Sequence, residues 1–199
     1  AATVLNSISP EKMAIEAMGD HCNYEVSWMD SGGAEGLPAI ARENPLTEEL
    51  RQELLAIDGV ESITSHEVTS ATVKFPQESV ALKFPVFDRE QMEQWLPEEN
   101  LEQGSADYEE LAANNGVIVT DSEDHLLSMF YGYTPAVGDV LTFESMDGKA
   151  IEVTVMGIAK PSVTSGTGAW GLFTLTEELA DQLYPDIENR EAVWNVHTS

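Results

Sequence analysis

The chain has 199 residues, of which 36 are acidic and 9 are basic, so its formal net charge is −27 at pH 7. A surface this negative repels phosphate backbones, which argues against a nucleic-acid partner. The single cysteine, Cys22, excludes an internal disulfide and a cysteine-ligated metal cluster. We interpret the charge as a solubility feature suited to an external medium, with attraction of basic peptides or metal ions as the alternative.

Capping residues and apolar spacing predict alternating helices and strands in the first half of the chain. One helix begins at Ser9 and ends near Gly19, and a second is capped by Asn44 or Thr47. The Gly-rich stretch 30–43 is a predicted loop. The remaining predicted elements of this half are a strand at 23–29, the second helix at 45–57, and strands at 60–75 and 80–87 with breaks at Pro76 and Pro85.

The second half continues this alternation around two loops. An acidic loop is predicted at 97–104, and a Gly/Ser/Thr-rich loop at 160–169. Asp121 is predicted to cap a helix that buries Phe130, and Thr176 to cap the last helix. The predicted helices lie at 88–95, 107–113, 121–130 and 176–184, and the predicted strands at 117–120, 170–175 and 192–197.

The clearest local signal is a β-hairpin between Pro135 and Ala159. Apolar and polar residues alternate over 140–144 and again over 151–155, and Asp147 and Gly148 lie between these runs. An Asp-Gly pair between two alternating runs is typical of a two-stranded antiparallel turn. The segment is therefore predicted to form two paired strands.

No residue pattern predicts a catalytic, cofactor-binding or metal site. The histidines occur at no metal-ligand spacing, and the acidic residues that follow Asp121 lack the spacing of an EF-hand loop. The chain contains neither a GxxxxGK[ST] phosphate loop nor a GxSxG nucleophile motif. A hydrolase whose site assembles from residues distant in sequence stays open as an alternative. No apolar run approaches the roughly 18 residues that span a bilayer, and no signal peptide opens the chain, so the sequence is either cytosolic or part of a protein with membrane segments elsewhere.

Several short motifs, taken in order, resemble the extracytoplasmic domains of MacB/FtsX-type ABC transporter permeases. Gly59 and Val60 follow a helix and open a strand, and Gly104 closes a Leu-x-x-Gly motif. Gly138 and Asp139 belong to a Val-Gly-Asp motif before the hairpin, and Gly157 belongs to the Val-Met-Gly-Ile motif that closes it. The resemblance extends over nearly the whole chain and depends on the order of these motifs.

This resemblance implies an α+β fold with two lobes. A porter-like β-α-β lobe would comprise residues 1–83 together with 160–199, and a second mixed α/β lobe would comprise 84–159. It implies no catalytic residues and no cofactor. The implied function is that of an extracytoplasmic domain, at the cell membrane, that transmits ATP-driven motion and contacts a substrate or an external partner.

The implied partners follow from the same family. They are a cytoplasmic ATP-binding subunit acting through flanking membrane helices, a second permease copy, and an external protein, peptide or lipid. Efflux, lipoprotein release, peptide sensing and control of a cell-wall hydrolase all occur in this superfamily. The alternative from another class is a freestanding secreted acidic binding module.

Overall fold

The computed structural model describes residues 6–7, 24–28, 46–121, 124–145, 147–161, 172–184 and 191–199. This part of the chain contains both α-helices and β-strands, in the α+β arrangement that the sequence predicted. The α-helices are α1 (Glu48–Leu55), α2 (Arg89–Trp95), α3 (Tyr108–Ala113), α4 (Leu126–Tyr131) and α5 (Glu177–Leu183). A 3-10 turn covers Glu98–Asn100.

The strands form one mixed sheet. They are β1 (Asn6–Ser7), β2 (Tyr24–Trp28), β3 (Val60–Lys74), β4 (Ser79–Phe87), β5 (Leu101–Gly104), β6 (Gly116–Thr120), β7 (Val140–Glu144), β8 (Ala150–Ala159), β9 (Phe173–Thr176) and β10 (Glu191–Thr198). Their order is β1-β2-β10-β3-β4-β9-β6-β8-β5, and β7 pairs with both β3 and β8. Only the β4–β9 and β6–β8 pairs among these are parallel.

Pairing of β7 with β3 closes six of the strands into a ring, in the order β3-β4-β9-β6-β8-β7. Its interior is filled by aromatic and branched side chains. The Phe173 ring stands edge-on to Phe84 at 5.7 Å and to Phe143 at 5.4 Å, while Phe84 and Phe143 stack at 5.2 Å. Edge-to-face and offset-stacked pairs add to the free energy gained by burying these rings. The ring interior is the main hydrophobic core of the described chain.

Helices α2 and α3 form a second core on the outer surface of the ring. Trp95 of α2 and Leu111 of α3 pack with Ile118 of β6 and Ala159 of β8. Each helix begins at an aspartate that accepts a hydrogen bond from a backbone N–H of the first turn: Asp88 from Gln91 at 2.8 Å, and Asp107 from Glu110 at 3.0 Å. Such caps satisfy amides that have no partner within the helix.

A third core lies outside the ring, where β3 continues beside β10 and β2. Ile63 of β3 packs with Trp194 and Val196 of β10, and leucines of α1 cover them. Thr47 caps α1 by accepting from the Leu50 amide at 3.2 Å, as the sequence predicted. Strand β3 therefore belongs to both regions: Val60 to Val68 pair with β10, and Thr72 to Lys74 pair with β7.

Most predicted elements are present with bounds within a few residues, and the hairpin is confirmed as β7 and β8. Three local predictions are wrong. Pro85 does not break β4: it lies opposite Val68 in the pairing with β3, and β9 pairs only with the next two residues, so no pairing with β9 depends on an amide at Pro85. The predicted acidic loop contains the 3-10 turn and β5, a short edge strand whose exposed Glu and Gln resemble loop composition.

The third wrong prediction concerns α4. The helix begins at Leu126 after His125, not at Asp121, and Phe130 is 62% exposed instead of buried. Asp121 nevertheless accepts a hydrogen bond from the Leu127 amide at 3.2 Å, so its carboxylate still serves the first turn. The predicted helix at 9–19, the loop 30–43 and residues 162–169 of the second loop lie outside the described residues.

The predicted division into 1–83 with 160–199 and 84–159 stays a prediction. Strand β9 and helix α5 follow residue 160 in the chain, yet they pack with side chains of β6 and β8 in the ring core. No helix among the described residues is both long and apolar enough to cross a membrane.

Candidate functional site

The six motif residues lie in three places, and two of these adjoin β8. Gly104 is the register partner of Gly157 across the β5–β8 pair. Gly138 donates its backbone N–H to the carbonyl of Val155, two residues before Gly157 in β8. Gly59 and Val60 lie elsewhere, at the start of β3 beside the end of β10. The structure therefore brings four of the motif residues to one strand and places the other two beyond the ring.

Gly104 and Gly157 allow two strands to approach closely. A Cβ atom on Gly104 would overlap the Met156 carbonyl oxygen and would lie 2.8 Å from Gly157 Cα, and Gly104 also has a φ of +79°. A Cβ atom on Gly157 would lie 2.8 Å from Ile118 Cδ1. Both positions therefore require glycine for steric reasons, and neither presents a group that could bind or react.

The Val-Gly-Asp motif forms a turn that Asp139 holds together. Its carboxylate oxygen Oδ2 accepts hydrogen bonds from the Tyr133 hydroxyl at 2.8 Å and from the Ala136 amide at 2.9 Å. Burial, together with the hydrogen bond to Asp139, raises the pKa of the Tyr133 phenol. Because the half-buried carboxylate of Asp139 is satisfied by these two donors, its role here is to fix the segment that leads into β7.

Gly59 and Val60 join α1 to β3 beside the end of β10. Gly59 has a φ of +91°, and its carbonyl accepts from the Ser199 amide at 3.1 Å. Val60 is the register partner of Thr198 and packs against the third core. These two residues therefore hold the start of β3 against the last strand of the chain.

A second polar cluster joins α2, α3 and α5. The Tyr108 hydroxyl donates to Glu178 Oε2 at 2.7 Å, and the Glu177 amide donates to the Tyr108 hydroxyl at 3.3 Å. The guanidinium of Arg89 lies 5.4 Å from the Tyr108 ring centre and pairs with Glu109. Burial and the bond to Glu178 raise the pKa of Tyr108, while burial and neighbouring carboxylates raise that of Glu177. This cluster ties the outer helices to the end of the ring.

The described histidines do not assemble into a site. His66 is buried and stands edge-on to Phe87, whereas His125 is exposed and lies 3.9 Å from an Asp121 oxygen. His197 lies within hydrogen-bond distance of Thr64 Oγ1, at 3.2 Å. Among the described residues no group of three or more His, Cys, Asp and Glu side chains is placed to hold a metal ion. Cys22 lies outside the described residues.

Sequence reasoning missed one surface feature. Six large apolar side chains are exposed among the described residues, and four of them lie within twelve residues: Met129, Phe130, Val137 and Val140. The sequence signal was ambiguous, because Leu126, Leu127, Met129 and Phe130 of α4 are all apolar and helical spacing does not show which side faces the core. We refer to these four exposed side chains as the 129–140 surface.

Among known proteins, the chain is similar to domains of solved structures. No protein-family model matches the chain, and no curated protein matches it. The extracellular domain of the noncanonic ABC-type transporter YknZ from Gram-positive bacteria is 16% identical, with a TM-score of 0.41, over 78% of this chain and 75% of that chain. The periplasmic region of MacB from Actinobacillus actinomycetemcomitans is 16% identical, with a TM-score of 0.40, over 75% of this chain and 63% of that chain. Both come from the group of transporters that the sequence motifs resemble.

Proposed function

We propose that the chain is the extracytoplasmic domain of an ABC transporter permease and that it transmits ATP-driven motion without catalysing a reaction. The proposal is supported by the order of the sequence motifs and by the path of the chain through the fold. In it, residues 1–83 with 160–199 form a membrane-proximal lobe and residues 84–159 form the outer lobe, and the first range also contributes the end of β3 and strand β9 to the ring.

The observation that carries the proposal is the pairing of an early strand with the last one. Strand β2 runs antiparallel to β10, with Tyr24 opposite Val196 and Trp28 opposite Ala192. The chain therefore enters β2 and leaves β10 at the same end of the sheet. This arrangement suits a domain placed between two consecutive membrane helices, because the chain of such a domain starts and ends at one membrane surface.

Strand β3 gives a physical route for the motion. Its 15 residues, at about 3.3 Å each, extend about 50 Å from β10 into the ring. One end pairs with β10 and the other with β4 and β7. Because hydrogen-bonded strands resist bending within the sheet, a displacement of β2 and β10 would be passed to the ring. We propose the cytoplasmic ATP-binding subunit and a second permease copy as the partners that produce this displacement.

The location of the domain can be tested in intact cells. Glu93 is exposed on α2, so Glu93→Cys in a Cys22→Ser background gives a single labelling site within these 199 residues, and any cysteine elsewhere in the full-length gene product is replaced by serine as well. A membrane-impermeant maleimide should label this site in intact cells, and the product should fractionate with membranes. Labelling only after permeabilisation would overturn the proposal. Recovery of the labelled protein from the medium would favour the freestanding secreted binding module instead.

A further inference from the structure

We propose that the 129–140 surface is a docking site for a basic, amphipathic segment of a partner protein. The inference goes beyond the proposed function, because the surface belongs to this chain whether or not a permease carries it. Two independent observations support it: the clustering of exposed apolar side chains, and the charge of the segment around them.

The exposed side chains are concentrated in one stretch of the chain. Met129 and Phe130 are 61% and 62% exposed, and Val137 and Val140 are 45% and 58% exposed. Single exposed apolar residues are ordinary, whereas a cluster on an otherwise charged protein marks an interaction surface. The other large exposed apolar side chains of the described residues, Tyr24 and Ile57, lie in β2 and after α1.

The backbone that carries these side chains is fixed. Leu127 is fully buried and anchors α4 in the ring core, and the Tyr131 ring stacks on Phe75 at 4.8 Å. At the end of α4, the Gly132 amide donates to Ser128 at 3.1 Å and the Tyr133 amide to Leu127 at 3.1 Å. Since α4 is held on its inner side, Met129 and Phe130 are presented on a preformed outer side, which lowers the entropy cost of binding.

The turn that carries Val137 is fixed to the same region. The hydrogen bond from Tyr133 to Asp139 joins the segment after α4 to the turn before β7. The Gly138 amide is bonded to β8 through Val155 at 2.8 Å, and the Val155 amide is bonded to Asp139 at 2.8 Å. The two pairs of exposed side chains therefore flank one rigid connection.

The charge of the segment selects the class of partner. Residues 121–148, the stretch that carries the surface, contain six Asp and Glu residues and no Lys or Arg, and Glu144 among them pairs with Lys74 of β3 at 3.3 Å. Opposite charge accelerates association and favours specific partners, whereas like charge opposes it. A second copy of this chain, with a net charge of −27, is repelled, and so is an anionic lipid surface. An occupant with apolar residues on one side and Lys or Arg on the other satisfies both the apolar and the electrostatic character of the surface.

Binding can be measured with the 199-residue chain and a fluorescent 18-residue peptide of Lys and Leu at helical spacing. Fluorescence anisotropy should show saturable binding at physiological ionic strength. The double variant Met129→Ser, Phe130→Ser should weaken it at least about tenfold, because two apolar contacts are lost. Ile57→Ser, which removes an apolar side chain that is 54% exposed elsewhere, should leave the affinity unchanged. Circular dichroism confirms that each variant is folded.

Further probes separate the other occupants. A peptide in which Glu replaces every Lys, a Lys/Ser peptide of equal positive charge, and vesicles with anionic headgroups should all bind weakly or not at all. Equal binding of the Lys/Ser peptide would show attraction by charge alone and would overturn the proposal. Equal affinity of the double variant, or concentration-dependent dimerisation that the double variant abolishes, would overturn it as well.

Discussion

Gly104 and Gly157 lie opposite each other in the β5–β8 pair, and neither position has room for a side chain. The Ser105 amide, next to Gly104, donates to the Met156 carbonyl at 3.0 Å, so the two backbones are in direct contact at this point. This close contact between the backbones of β5 and β8 holds the edge strand β5 against the ring, where α2 and α3 form the second core. These two motif residues therefore serve the packing of the outer layer.

We predict that Gly104→Ala destabilises the protein more than Gly138→Ala does. Both glycines have positive φ, at +79° and +94°, and an L-residue in that region costs about 1–2 kcal/mol. Only Gly104 adds a steric overlap with backbone, because nothing lies within 4 Å of a Cβ at Gly138. Urea unfolding should give a loss of about 1–2 kcal/mol for Gly138→Ala and a clearly larger loss for Gly104→Ala. Equal losses would contradict the close-approach explanation.

The Tyr133–Asp139 hydrogen bond should contribute measurably to stability. Tyr133→Phe removes the hydroxyl that donates to Asp139 and should cost about 1–2 kcal/mol, since the acceptor is a carboxylate. Tyr131→Phe is the matched control: it removes a hydroxyl two residues earlier and keeps the ring that stacks on Phe75. Its expected cost is under about 0.5 kcal/mol. Chemical unfolding of both variants compares them directly, and a similar cost for each would refute the assignment.

Alkaline pH should lower stability through two tyrosines. The folded state raises the pKa of Tyr108 and of Tyr133, mainly by burial and then by hydrogen bonds to carboxylates. The contribution of each phenol to the free energy of unfolding is therefore complete below about pH 10, the pKa of a tyrosine in the unfolded chain. This contribution is lost as pH rises above that value towards the raised pKa of the folded state. Between pH 8 and 11 the thermal midpoint of the double variant Tyr108→Phe, Tyr133→Phe should fall less than that of the wild type. Parallel curves would rule out this contribution.

Ionisation of Glu177 should destabilise the folded protein, whereas ionisation of a carboxylate that is paired with a cation stabilises it. Glu177 is exposed at the start of α5, and partial desolvation first, and then the charges of Glu67, Asp88, Glu178 and Asp181, raise its pKa. Its ionised form therefore opposes folding, and the penalty appears as pH rises above the unfolded pKa near 4.3. Glu177→Gln should raise the thermal midpoint at pH 7, with an advantage that vanishes near pH 4.

The control for that variant is Glu152→Gln, which removes one negative charge from an exposed position on β8. It separates the local effect at Glu177 from the general benefit of lowering a net charge of −27. An equal gain in midpoint for both variants would show that only total charge matters.

Local features of the fold could be predicted because they depend on neighbours in sequence. Thr47 and Thr176 cap their helices as predicted, and the Asp147-Gly148 turn joins β7 to β8. Capping and tight turns use atoms only a few residues apart, so residue type is sufficient evidence.

Features that depend on distant contacts could not be predicted in the same way. Strand β5 has the composition of a loop. It forms a strand because β8 pairs with it, and the register partners Gly104 and Gly157 are 53 residues apart in the sequence. Phe130 was assigned to the core because it lies among apolar residues, but Leu127 and Tyr131 already fill the inner side of α4. The closure of the ring through β7 and β3 has no local signal at all.

The central claim is that motion generated by an ATP-binding subunit reaches this domain. The most direct test places a spin label at Glu93→Cys, in the Cys22→Ser background, in both permease copies of the reconstituted transporter, and measures the distance between the labels by pulsed electron resonance. The account predicts that the distance distribution differs between the nucleotide-free and the ATP-bound transporter. An identical distribution in both states, with ATP hydrolysis intact, would contradict it.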